Sequence, residues 1–140
     1  MVHQLKNAFE DAIYRVHAPR GPVDLRVGDA GAARRLWAQL PRTAGGEAWI
    51  ITPCNPAGRR VAPWINARRR RELARMLERR VLPHYPAVNL DPDGDWPDEP
   101  GFCVWNLDTR EAASLGRHFN QAALLHVPRQ GPPDLVWIDD

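Results

Sequence analysis

The run Ala48-Trp49-Ile50-Ile51 is apolar at every position, so a strand made from it has no face to offer to water. Such a strand belongs inside a sheet that is covered on both sides, and the chain must supply helices to cover it. Pro53 ends the strand. Asp29 is placed to cap a helix reaching about Leu40, with Ala33, Leu36, Trp37 and Leu40 on one apolar stripe and Pro41 as its stop. Beyond the strand, Pro63 suits the first turn of a longer helix, because its missing N–H has no intrahelical partner there. That helix should run to about Leu82, before Pro83.

The flanking segments complete the order. "AIYRVHA" and "VDLRVG", joined by "PRGP", predict a hairpin. "HYPAVNLDPDGDWPDEPG" holds four prolines and two glycines in eighteen residues, which predicts a long irregular loop with at most a short strand at Ala87 to Leu90. "FCVWNL" is a strand. Asp108 with Glu111 three residues later forms a capping-box pattern for a helix to about Phe119. "AALLHV" and "LVWI" then close the sheet as a pair around "PRQGPPD". The expected architecture is α+β (mixed α/β): a single mixed sheet with about three helices, in the order ββαβα, loop, βαββ. One globular domain should cover residues 1–140, with 1–10 as an N-terminal extension and 83–101 as the long Pro/Asp-rich loop. No GxGxxG follows a strand and no Walker loop is present, so cofactor motifs are lacking and no cofactor is expected.

At 44% hydrophobic and 26% charged, with no apolar run near the roughly 20 residues of a membrane span, the sequence reads as a cytoplasmic protein without a membrane segment. "MVHQLKNAFEDAIYRV" carries charges where a signal peptide needs an unbroken apolar stretch. Cys54 and Cys103 have neither CxxC spacing nor companion ligands, so two reduced thiols near the core are expected and no metal site. Net charge is only +2, but its distribution is uneven. Nine arginines fall between Arg59 and Arg80, while Val81 to Pro100 holds Asp91, Asp93, Asp95, Asp98 and Glu99 and no basic residue except His84. Either the acidic loop folds back onto the arginines, or a basic face stays open for an anionic partner.

The second helix separates those arginines. With Ile65 at zero on a helical wheel, Leu73, Met76 and Leu77 define an apolar stripe centred at about 60°. Asn66 at about 100° and Arg69 at about 40° lie on that stripe, whereas Arg68, Arg71, Arg75 and Arg79 point elsewhere. A guanidinium directed inward must meet a carboxylate, carbonyl groups or a bound anion. Asn55, Arg59, Asn66 and Arg69 therefore mark a small anion-accepting crevice at the strand-to-helix junction, where helix N-termini also favour phosphates and carboxylates. The competing expectation is structural: Asn55 caps a turn, Asn66 bonds that loop, and Arg69 pairs with Glu99 or with an aspartate of the acidic loop.

"LRVGD", "EAWIITPCNP", "INARRRREL", "DWPDEPGFCV" and "LGRHFNQAALL" together resemble the bacterial family catalogued as domain of unknown function 3293, from about Tyr14 to Ile138. The family pattern has Thr-Ala-x-Asn-Pro at a strand end, an Asn at the next helix start, an acidic residue before a strand, and Phe-Gly-Gln-x-Ala. It is matched here by Thr52, Asn55, Pro56, Asn66, Glu99, Phe119, Gln121 and Ala122. Pro53 stands where Ala is usual and Asn120 where Gly is usual, and Pro100 and Gly101 replace a Glu-Ser pair. The resemblance supplies no reaction. It implies a shared pocket of Asn55, Asn66, Glu99 and Gln121.

Other chemistry is thinly supported. Cys54 has no motif around it that would make His84, His118 or His126 its base. Asp91-Pro-Asp93-Gly-Asp95 alternates carboxylates as calcium loops do, yet Phe102 occupies the position of the bidentate Glu. Glu99 with Asp98 or Asp95 is a conceivable acid/base pair of a hydrolase-type enzyme. Trp37, Trp49, Trp105 and Trp137 fall on expected core faces, and Trp64 and Trp96 flank the crevice. The leading expectation is binding of a small anionic ligand, phosphate- or carboxylate-bearing. The alternative is a nucleic-acid or protein partner on the arginine-rich helix face.

Overall fold

The computed structural model describes residues 2–138. Seven strands form one sheet: β1 (Ile13–Ala18), β2 (Gly21–Leu25), β3 (Glu47–Ile51), β4 (His84–Leu90), β5 (Glu99–Leu107), β6 (Ala123–Val127) and β7 (Asp134–Trp137). Their spatial order is β2-β1-β4-β5-β3-β6-β7. Every neighbouring pair is antiparallel. Four helices accompany the sheet: α1 (Val2–Asp11), α2 (Ala30–Trp37), α3 (Pro63–Arg79) and α4 (Thr109–His118).

The doubly apolar strand sits where its composition requires. Ala48 and Ile50 of β3 pack into the core beneath α2, with Ala32, Ala33 and Leu36. Trp49 and Ile51 turn to the opposite core, built on Leu73, Met76 and Leu77 of α3 and Ala112, Leu115 and Phe119 at α4. Asp29 caps α2 by accepting from Ala32 N at 3.1 Å. The capping box of α4 is present, with Glu111 N donating to Asp108 Oδ1 at 2.8 Å and Asp108 N to Glu111 Oε1 at 3.5 Å. Cys54 and Cys103 are buried and free, and burial pushes the Cys103 thiol up to about 12.

Three expectations need correction. The sheet is wholly antiparallel and carries four helices rather than about three, because the described residues of the expected extension, 2–10, lie in α1. The segment 83–101 is not a long irregular loop. Its first part is the seven-residue strand β4, central in the sheet, and its last three residues begin β5. Pro86 fits because it stands where pairing with β1 stops, at Val16 opposite Ala87, while pairing with β5 continues to His84. Trp137 is not a core residue. It is 42% exposed and packs edge-on against Phe9 of α1, with ring centroids 5.5 Å apart.

Candidate functional site

The loop leaving β3 is fixed by close backbone approach and polar side chains. A Cβ on Gly101 would lie 2.2 Å from Ile51 O, so only glycine lets β5 run this near the end of β3. The closeness allows Thr52 Oγ1 to donate to Pro100 O at 2.9 Å and to accept from Cys54 N at 3.2 Å. Asn55 then takes a left-handed conformation, φ 49°, which Asn tolerates better than other residues carrying a Cβ. Asn120 does the same at φ 53°. Its carbonyl accepts from Ala57 N at 2.6 Å and ties the two turns together.

Asn55 is the hub. It is 3% exposed, and each of its polar side-chain atoms has a partner. Oδ1 accepts from Val61 N at 3.1 Å and from Asn66 Nδ2 at 3.0 Å, and Nδ2 donates to Glu99 Oε2 at 2.8 Å. Asn66 Oδ1 in turn accepts from Asn55 N at 2.9 Å. These contacts leave no freedom in the orientation of either amide. Trp96 Nε1 donates to the same Glu99 oxygen at 3.0 Å. Among the described residues nothing donates to Glu99 Oε1. Burial pushes the Glu99 carboxyl above its ordinary value, and the hydrogen bonds from Trp96 and Asn55 oppose that rise.

Gln121 shows the same asymmetry. Its Nε2 donates to Cys54 O at 3.1 Å and Phe119 O at 3.3 Å, leaving Oε1 without a protein donor among the described residues. Both residues line a cavity of about 570 Å³ between α1 and the sheet, together with Asn55, Arg59, Tyr14 and Trp96. Leu5, Ala8 and Phe9 of α1 supply apolar wall opposite them. The helix is held there by Tyr14, whose hydroxyl donates to Phe9 O at 2.7 Å, and by Leu5, which lies against Gly58. Burial, and secondarily the charge of Glu99, raise the Tyr14 phenol above its ordinary value.

Of the six candidate residues, Asn55, Arg59, Glu99 and Gln121 line the cavity, whereas Asn66 stands behind Asn55 and Arg69 lies outside the lining. Arg69 pairs with neither Glu99 nor the acidic loop. Its Nε donates to Pro53 O at 2.7 Å, its Nη2 donates to Phe119 O, and the guanidinium lies 5.6 Å from the Phe119 ring centroid. Neutral carbonyls thus answer the inward cation. Asp91 closes its own turn by accepting from the backbone N–H groups of Asp93, Asp95 and Trp96. Tyr14 and the wall residues of α1 escaped the reading of the sequence. The spacing of Leu5, Ala8, Phe9 and Ala12, which recurs at three and four residues, was the signal available for the helix.

The family model described as "Protein of unknown function (DUF3293)" matches residues 51–124, more than half of the chain, and the chain belongs to that family. The matched span contains Asn55, Asn66, Glu99 and Gln121 and omits α1 and Tyr14. The chain has no significant match among curated proteins or among solved structures.

Proposed function

We propose that this member of the family binds a small organic ligand in the cavity beneath α1, at the strand-to-helix crevice. The ligand presents hydrogen-bond donors, an amine or amide, to Glu99 and Gln121, and a carboxylate or phosphate to Arg59 at the cavity wall. The observation that carries this reading is that Glu99 and Gln121 line one cavity and each keeps an acceptor oxygen, Oε1, without a protein donor among the described residues. Each oxygen offers a ligand's N–H donor a hydrogen bond that no protein donor among the described residues already makes. Apolar walls from Leu5, Phe9 and Leu90 suit the body of such a molecule. Arg69, with its Nε and Nη2 donating to backbone carbonyls, is the frame of the crevice in this reading and Arg59 is the cation for the ligand's anionic group.

A thermal-shift screen of small amines, amides, carboxylates and phosphates tests it, since a ligand at about 100 times its dissociation constant stabilises a fold by about 2.7 kcal/mol. Hits should disappear in Glu99→Gln and in Ala8→Trp, which places an indole in the cavity from an exposed helical position. Hits that survive Ala8→Trp would place binding elsewhere and overturn the reading. Affinity for an amine should fall as pH drops through the raised pKa of Glu99, because a proton then competes for the same oxygen. A second reading rests on the same carboxyl: a raised pKa in a sheltered cavity is the state a general acid needs. Turnover lost in Glu99→Gln with binding retained would favour catalysis.

A further inference from the structure

Outside the cavity, α3 carries a second organised feature. At about 100° per residue, Trp64, Arg68, Arg71, Arg75 and Arg79 fall within about 80° of arc, in a stripe about 22 Å long. All five are exposed, Trp64 at 66%, on the face opposite the buried Leu73 and Leu77. Among the described residues, none of these four guanidinium groups has an ion-pair partner. Glu72, beside the stripe, is engaged instead by His118 of α4 at 3.0 Å, a hydrogen bond that holds its carboxyl below the usual range. The acidic turn does not neutralise the stripe through any ion pair. Its contact with the basic segment is made by Arg60, which donates to Asp95 O at 2.5 Å and lies 4.8 Å from the Trp96 ring centroid.

We propose that this face of α3 binds single-stranded nucleic acid, independently of the cavity. Side chains three and four residues apart on a helix stand about 5–6 Å from one another, a spacing that lets successive guanidinium forks follow consecutive phosphates. Trp64, at one end of the row, offers an uncovered indole face on which an unpaired base can stack. An anionic membrane surface would call for a broad apolar face beside the cations, and the apolar face of α3 is spent in the core.

The test is fluorescence polarisation of the full chain with a labelled thymidine oligonucleotide of about 15 residues. Binding at about 50 mM salt should weaken with a log-log slope near −3 if four phosphates are contacted. Trp64→Ala should weaken it about tenfold. The pair Arg68→Glu with Arg75→Glu should abolish it with an unchanged circular dichroism spectrum, since both positions are exposed, and Glu99→Gln should leave it intact. No binding at low salt, binding undiminished by Trp64→Ala, or equal binding to heparin or phosphatidylserine vesicles would overturn the proposal.

Discussion

Arg69 and Glu99 both reach the loop that follows β3, one at Pro53 and the other at Asn55, and both are half-buried ionisable groups. They differ in what remains unspent. Arg69 binds two backbone carbonyls and a ring face, all within the fold. Glu99, which lines a cavity, anchors one oxygen through two donors and leaves the other without a protein donor among the described residues. Two inward charges at one junction therefore serve different ends, and the distinction lies in hydrogen-bond capacity rather than in burial or charge.

The sharpest way to break this contrast is Arg69→Ala. It removes the side-chain donor to the Pro53 carbonyl and one of the two side-chain donors to the Phe119 carbonyl, and should cost about 3 kcal/mol in urea unfolding. The ligand specificity of the remaining folded protein should be unchanged; a selective loss of anion binding would instead return Arg69 to the site. Asn55→Ala should move both quantities. It removes the bonds to Val61, Asn66 and Glu99 and puts Ala at φ 49°, for about 2 kcal/mol of stability, and ligand affinity should fall with it.

Glu99→Gln has the smallest effect on the fold. Its side-chain oxygen can still accept from Asn55 and Trp96, so the hub survives. The pH dependence gives the sign. With its pKa raised in the folded state, wild-type Glu99 keeps a proton that the unfolded chain gives up near its ordinary value, about 4.3. Stability from this group is therefore highest below that value and declines as pH rises through the folded pKa. The variant lacks this decline, so its stability relative to wild type should increase from about pH 4 toward neutrality. A flat difference across that range would mean the carboxyl is not perturbed.

How much of this was legible in the sequence follows from which signals are local. The two-faced β3, the Asp29 cap and the capping box at Asp108 each depend on neighbours within a few residues, and each appears as expected. Strand β4 was obscured because Pro86 signals a break, and its tolerance depends on where the β1 ladder ends, a fact of the assembled sheet. The inward direction of Arg69 was readable on a helical wheel, but its partners are main-chain oxygens, which every sequence offers everywhere. The alignment of Glu99 with Gln121 across one cavity depends on α1, whose role no motif announced.

The cavity also has two separable authors. Its polar floor of Asn55, Glu99 and Gln121 falls within the matched family span, and part of its apolar roof is contributed by the ten-residue helix α1, outside that span. Floor and roof can drift apart in evolution: substitutions at Leu5, Ala8 or Phe9 would reshape the space left for a guest molecule without disturbing the hydrogen-bonded hub. A common recognition chemistry could then serve guests of different size, with the tailoring confined to one short, replaceable segment.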